Sequence, residues 1–132
     1  MRVLFDNNLP PRLARALNEL FAGEHHIIAL RDKFAENIDD VDWIRQLGLE
    51  GTWVIVSGDR RITRNRAERD AFRNSRLIGF FLAKGLAKAK VTKQAERLLA
   101  LWENIEKVVG VVQSGAMFEL PMRSTRIKQL KD

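Results

Sequence analysis

Short runs of uninterrupted apolar residues, separated by amphipathic stretches, constrain this chain more than any other feature. They are Arg2 to Asp6 (RVLFD), His25 to Leu30 (HHIIAL), Trp53 to Ser57 (WVIVS) and Leu77 to Ala83 (LIGFFLA). Strands exposed on one face alternate apolar and polar residues. Continuous apolar runs of this length mark strands covered on both faces, the habit of parallel sheets.

The stretches between them read as helices. Pro10 and Pro11 suit the start of a helix, where a missing N–H costs nothing. Leu13, Leu17, Leu20 and Phe21 follow at helical spacing, and Gly23 ends the run. Asp40 is the expected N-cap of a short helix with Val41, Ile44 and Leu47 on one face, closed by Gly48. A modest helix is predicted over Asn65 to Arg73. A longer one begins near Thr92, with Ala95, Leu98, Leu99, Trp102 and Ile105 on its apolar face and Gly110 at its end. Ala116 to Met122 reads as a last, edge strand, because Pro121 is tolerated there. Trp43, Trp53 and Trp102 are expected in the core, and His25 and His26 in structural roles.

Strands alternating with helices predict an α/β fold, a mainly parallel sheet with helices on both faces. The expected organisation is one domain over residues 1–122 and a basic C-terminal tail over 123–132, disordered or docked elsewhere. A chain of 132 residues is long enough to bury a core unaided. It has no cysteine, which excludes disulfides and thiolate metal sites. No apolar run approaches the length of a membrane span and no leader is legible, so a cytosolic protein is expected.

The 23 basic and 17 acidic residues leave a net charge of +6, which favours acidic partners such as nucleic acid. Arg60, Arg61, Arg64, Arg66, Arg69, Arg73 and Arg76 crowd one stretch directly after the third apolar run.

Parallel sheets place their sites at the carboxyl ends of the strands. Asp6 closes the first strand there, and Asp59 follows the third. Asp42 lies in the first turn of a helix that leads to the same edge, with Asp39 and Asp40 as competitors and Asp40 already used as the cap. Carboxylates gathered at one edge repel one another unless a cation neutralises them, and Mg²⁺ or Mn²⁺ suits oxygen ligands. Each acid also has a plainer reading: turn chemistry for Asp6 and Asp59, and a favourable helix-dipole position for Asp42. Glu68, three residues after Asn65, fits a capping box or a fourth metal-site acid.

RVLFDNNLPPRLARAL resembles the opening of the PIN-like ribonuclease domains related to VapC-type toxins. DDVDWIRQL resembles their second acidic block, and VIVSGDRRI their third strand with its closing aspartate. The resemblance covers about residues 1 to 83. It implies a three-layer α/β/α PIN-like fold that binds Mg²⁺ or Mn²⁺ and cuts RNA. Asp6, Asp42 and Asp59 then correspond to the metal-holding catalytic acids, with Glu68 as an additional ligand, Asn7 as a supporting hydrogen-bonding residue, and Arg60, Arg61, Arg64 and Arg66 on the RNA backbone. Many PIN domains carry a further acid shortly after the third, where this chain has Arg60, Arg61 and Ile62.

The resulting expectation is a metal-dependent endoribonuclease, the toxin of a toxin–antitoxin pair, with RNA, an antitoxin protein and a second copy of itself as partners. The alternative is a PIN-like module with a degenerate site that grips RNA or protein without cutting. A receiver-like signalling domain, phosphorylated on Asp59 with Lys84 nearby, ranks last.

Overall fold

A computed structural model describes residues 1–131. Its sheet has six strands in the order β2-β1-β3-β4-β5-β6. They are β1 (Arg2–Phe5), β2 (His26–Ala29), β3 (Val54–Ser57), β4 (Ile78–Leu82), β5 (Met117–Leu120) and β6 (Lys128–Leu130). The first five run parallel and β6 pairs antiparallel with β5. The α/β/α expectation is met: each apolar run forms a strand, and successive residues of each strand face opposite layers.

One layer contains α1 (Pro11–Leu20), α6 (Lys84–Ala87) and α7 (Val91–Val111), packed on Val3, Phe5, Val54, Val56, Phe80 and Leu120. The other contains α3 (Asp40–Leu49) and α5 (Arg66–Arg73), packed on Leu4, Ile55, Phe81 and Met117. Two further single-turn helices, α2 (Leu30–Lys33) and α4 (Arg61–Arg64), follow β2 and β3. Trp43, Trp53 and Trp102 are all buried, as expected of core residues.

The α5 layer is anchored by one close approach. Phe72 lies edge-on to Phe81 and sits directly over Gly79 in the middle of β4. A Cβ on Gly79 would fall 2.8 Å from both rings, so the strand can pass under Phe72 only as glycine. Fully burying a Phe side chain stabilises the fold by roughly 1.5–3 kcal/mol. It also fixes the rotation of α5 and with it the direction of Glu68, one turn earlier.

Several boundaries differ from the sequence reading. Asp39 takes the extended cap position of α3, without a side-chain cap bond, and Asp40 is the first helical residue. The buried face of α3 is Trp43, Ile44 and Leu47, and Val41 is only partly covered. In α7 it is Leu101, not Leu99, that is buried, and the helix runs through Gly110 to Val111.

Residues 123–131 do not form a free tail. Arg97, buried in α7, donates to the carbonyls of Pro121 and Ser124, and Asn104 donates to that of Thr125. These bonds lay the segment across the molecule and deliver Lys128–Leu130 to β5 as the true edge strand. Gly115 makes the turn into β5 with φ +89°, where a Cβ would strike the Arg73 carbonyl. No described helix is long and apolar enough to cross a membrane.

Candidate active site at the carboxyl edge of the sheet

The chain leaves β1 for β2 on one side and returns to β3 on the other. That reversal opens a crevice beyond the carboxyl ends of β1 and β3, the usual place for a ligand in such sheets. Asp6 and Asp59 flank it.

Asp6 is 7% exposed. Its Oδ1 accepts the Asn7 backbone N–H at 2.7 Å and its Oδ2 accepts the Ser57 hydroxyl at 3.1 Å. Burial pushes its pKa up, and the nearby Asp40 and Asp59 carboxylates push in the same direction; the bonds from Asn7 and Ser57 pull the other way. Ser57 is fully buried and joins the two strand ends, since its Oγ also accepts the Asp59 N–H at 3.1 Å. Asn8 completes the link, donating to Ser57 Oγ at 3.3 Å and accepting the Gly58 N–H at 2.7 Å. The supporting side chain is therefore that of Asn8. Asn7 contributes through its backbone, and its side chain is exposed.

Asp59 is more open, its side chain 42% exposed. Its Oδ1 accepts the Arg61 N–H at 2.9 Å and so starts α4.

In the second acidic block it is Asp40, and not Asp42, that lies toward Asp6. Asp42 is exposed on α3, on the rim of the cavity, while the Asp40 side chain is only 11% exposed and acts electrostatically on Asp6. The indole of Trp43 donates to Asp40 Oδ1 at 2.9 Å and holds it in place.

Glu68 joins Asp40 from α5, facing the same cavity of about 440 Å³. Asn65 does cap α5, accepting the Glu68 N–H at 3.1 Å. The Glu68 carboxylate nevertheless points into the site, with a side chain 13% exposed and a buried Oε2 that has no hydrogen-bond partner. Burial first, then contact with the Asp40 carboxylate, push Glu68 up to about 7.

The arginines expected on RNA are divided among different tasks. Arg60 pairs with Glu119 of β5, and Arg61 reaches Asp40 at 2.9 Å. Arg66 is exposed and stands 3.9 Å from Asp70. Arg64 lines a second cleft, of about 600 Å³, on the other side of Asp59 together with Arg60, Lys84 and Lys88. The two lysines follow β4, and the signal that could have placed them is their position just beyond the carboxyl end of a central strand.

Carboxylate oxygens are the donor type that a hard divalent cation takes. Asp6, Asp40, Asp59 and Glu68 offer carboxylate oxygens alone, they repel one another, and a buried Glu68 oxygen is unpaired. As the side chains lie, no three His, Asp or Glu groups among the described residues stand close enough to ligate one ion. The Arg61 guanidinium lies among Asp40, Asp59 and Glu68 instead.

The model of the PIN-like domain family matches residues 1–84, the segment that carries all four acids. The chain belongs to the PIN-like domain family. PIN-like domains are commonly nucleases, and the match favours this fold over a receiver-like one. It ends at the start of α6, so α7, β5 and β6 of this PIN-like protein lie beyond it. No curated protein and no solved structure matches the chain.

Proposed function

We propose that this PIN-like domain is a metal-dependent endoribonuclease that hydrolyses RNA phosphodiesters at the β1–β3 crevice. The observation that carries the reading is that Asp40 and Asp59 act electrostatically on both Asp6 and Glu68, four acids from separate elements, beside a cleft lined by Arg60, Arg64, Lys84 and Lys88. Asp40, not Asp42, takes the second acidic role. Asp6, Asp40 and Asp59 would hold Mg²⁺ or Mn²⁺, with Glu68 as the fourth acid. When bound, the ion supplies an activated water and neutralises charge on the phosphate.

The protein's own residues set the conditions for that chemistry. Ser57 and the Asn7 N–H hold Asp6 in one orientation, and Trp43 does the same for Asp40. In the metal-free edge, burial and the Asp40 carboxylate push the pKa of Glu68 up, so it resists carrying its charge there without a compensating cation. The cations of the adjacent cleft hold the phosphate backbone. The resemblance of the first three sequence blocks to VapC-type toxins supports RNA as substrate, a toxin role, and an antitoxin and a second copy as partners.

The test is cleavage of a mixed RNA pool in Mn²⁺ by wild type, Asp6→Asn and Asp40→Asn. Cleavage by wild type and loss in both folded variants supports the reading, and undiminished cleavage by either variant removes that acid from the site. A second reading, a degenerate module that binds RNA without cutting, is favoured by the position of Arg61 among the acids. It calls for RNA affinity that falls steeply with salt, with no turnover in Mn²⁺.

A further inference from the structure

Arg61 is the first residue of α4, and two anchors aim its side chain. Its backbone N–H donates to Asp59 Oδ1 at 2.9 Å, and the next residue, Ile62, is 1% exposed in the core beneath. From that base its guanidinium reaches across the acidic cavity. Nη2 donates to Asp40 Oδ2 at 2.9 Å, and Nε stands 3.9 Å from both Asp59 Oδ2 and Glu68 Oε1. The three acids come from α3, from the loop after β3 and from α5. Arg61 is the cation they share.

A guanidinium suits this task because its five donors lie in one rigid plane and its charge does not titrate. A water molecule in the same place would bridge the acids without cancelling their charge. The neighbouring arginine, Arg60, turns the opposite way to Glu119, so the two side chains serve opposite sides of Asp59.

We propose that Arg61 is a built-in counter-ion shared by Asp40, Asp59 and Glu68 in the metal-free edge, and that an ion enters this edge only by displacing it. The proposal rests on the acidic ligand set of the nuclease reading, but concerns occupancy and not cleavage. Two consequences follow. Without metal, Arg61 offsets part of the repulsion among the three acids, screened by solvent because its side chain is 63% exposed. With metal, apparent affinity is reduced by the fraction of molecules in which Arg61 remains in place.

The experiment is calorimetric titration of Mn²⁺ into wild type, Arg61→Gln and Arg61→Lys, with thermal melts of each in chelator and in Mn²⁺. Arg61→Gln should bind Mn²⁺ roughly tenfold or more tightly than wild type. It should melt lower in chelator and recover in Mn²⁺ by a larger shift than wild type shows. Arg61→Lys keeps the charge without the planar fork, and its affinity should fall between the two. It also keeps the proposal testable if the glutamine variant does not fold. Equal or weaker Mn²⁺ binding in the folded variants overturns the proposal. A gain in Mn²⁺ affinity with no RNA cleavage by any of the proteins supports the counter-ion and removes the nuclease reading, so the two failures are separable.

Discussion

Asp59 divides the carboxyl edge of the sheet into two regions of opposite character. On the α3–α5 side, Asp40 and Glu68 crowd one arginine, Arg61, with Asp6 buried close behind. On the α6–β5 side, Arg60, Arg64, Lys84 and Lys88 surround one glutamate, Glu119. Arg61 on the acidic side and Glu119 on the basic side are each ion-paired with a residue of the opposite sign. The difference lies in burial. The acids are held by Ser57, Trp43 and the Asn7 N–H, whereas Lys84 and Lys88 are exposed. Largely buried acids such as Asp6, Asp40 and Glu68 suit chemistry on a small reacting group, and exposed lysines suit grip on a long polyanion.

The strongest way to break this division is at the acids. Asp6→Asn and Asp40→Asn should each lower RNA cleavage by about a hundredfold or more, the scale of losing an electrostatic group at a reacting centre. Asp42→Asn should stay within about twofold, as expected of an exposed surface residue. Initial rates on one labelled RNA measure all three, and an equal loss in the Asp42 variant would return the second acidic role to Asp42. At the basic half, Lys84→Ala with Lys88→Ala should weaken RNA binding and reduce the slope of log affinity against log salt by about 1.4, two contacts to a single strand. An unchanged slope, read by fluorescence anisotropy in chelator, would place the RNA elsewhere.

The layers of this molecule were legible because they depend on apolar pattern alone. The runs at Val54 to Ser57 and Ile78 to Leu82 read as strands because they are short, rich in β-branched and aromatic residues, and buried on both faces. The acids were harder to place because helical position turns by about 100° per residue. The α3 cap is Asp39 and not Asp40, so Asp40, two residues and about 200° around the helix from Asp42, is the acid that acts on Asp6. At Glu68 the capping-box spacing was real, but a backbone N–H that serves the cap leaves its side chain free to point elsewhere. Leu99 and Leu101 show the same ambiguity on α7, where several apolar residues compete for one face. The edge strand Lys128–Leu130 carried no signal, since its polar residues are held by main-chain bonds to β5 and by the carbonyl contacts of Arg97 and Asn104 upstream.

The same acidic half should be visible in stability alone, before any RNA is added. Glu68 is raised from 4.5 to about 7 in the folded protein, and Asp6 is raised from 3.8 as well. A carboxyl group that holds its proton more tightly when folded binds more protons in the native than in the unfolded state between its two pKa values. Stability therefore falls as pH rises through that window. In chelator, the melting temperature attributable to Glu68 should decline between about pH 4.5 and 7 and level off above it. Glu68→Gln removes the titration while keeping the shape, so its melting temperature should be flatter across this window and above wild type at pH 8. Parallel melting curves for the two proteins from pH 5 to 8 would mean that Glu68 is charged in the cavity throughout, fully compensated by Arg61, and that the repulsion within the acidic half resides at Asp6.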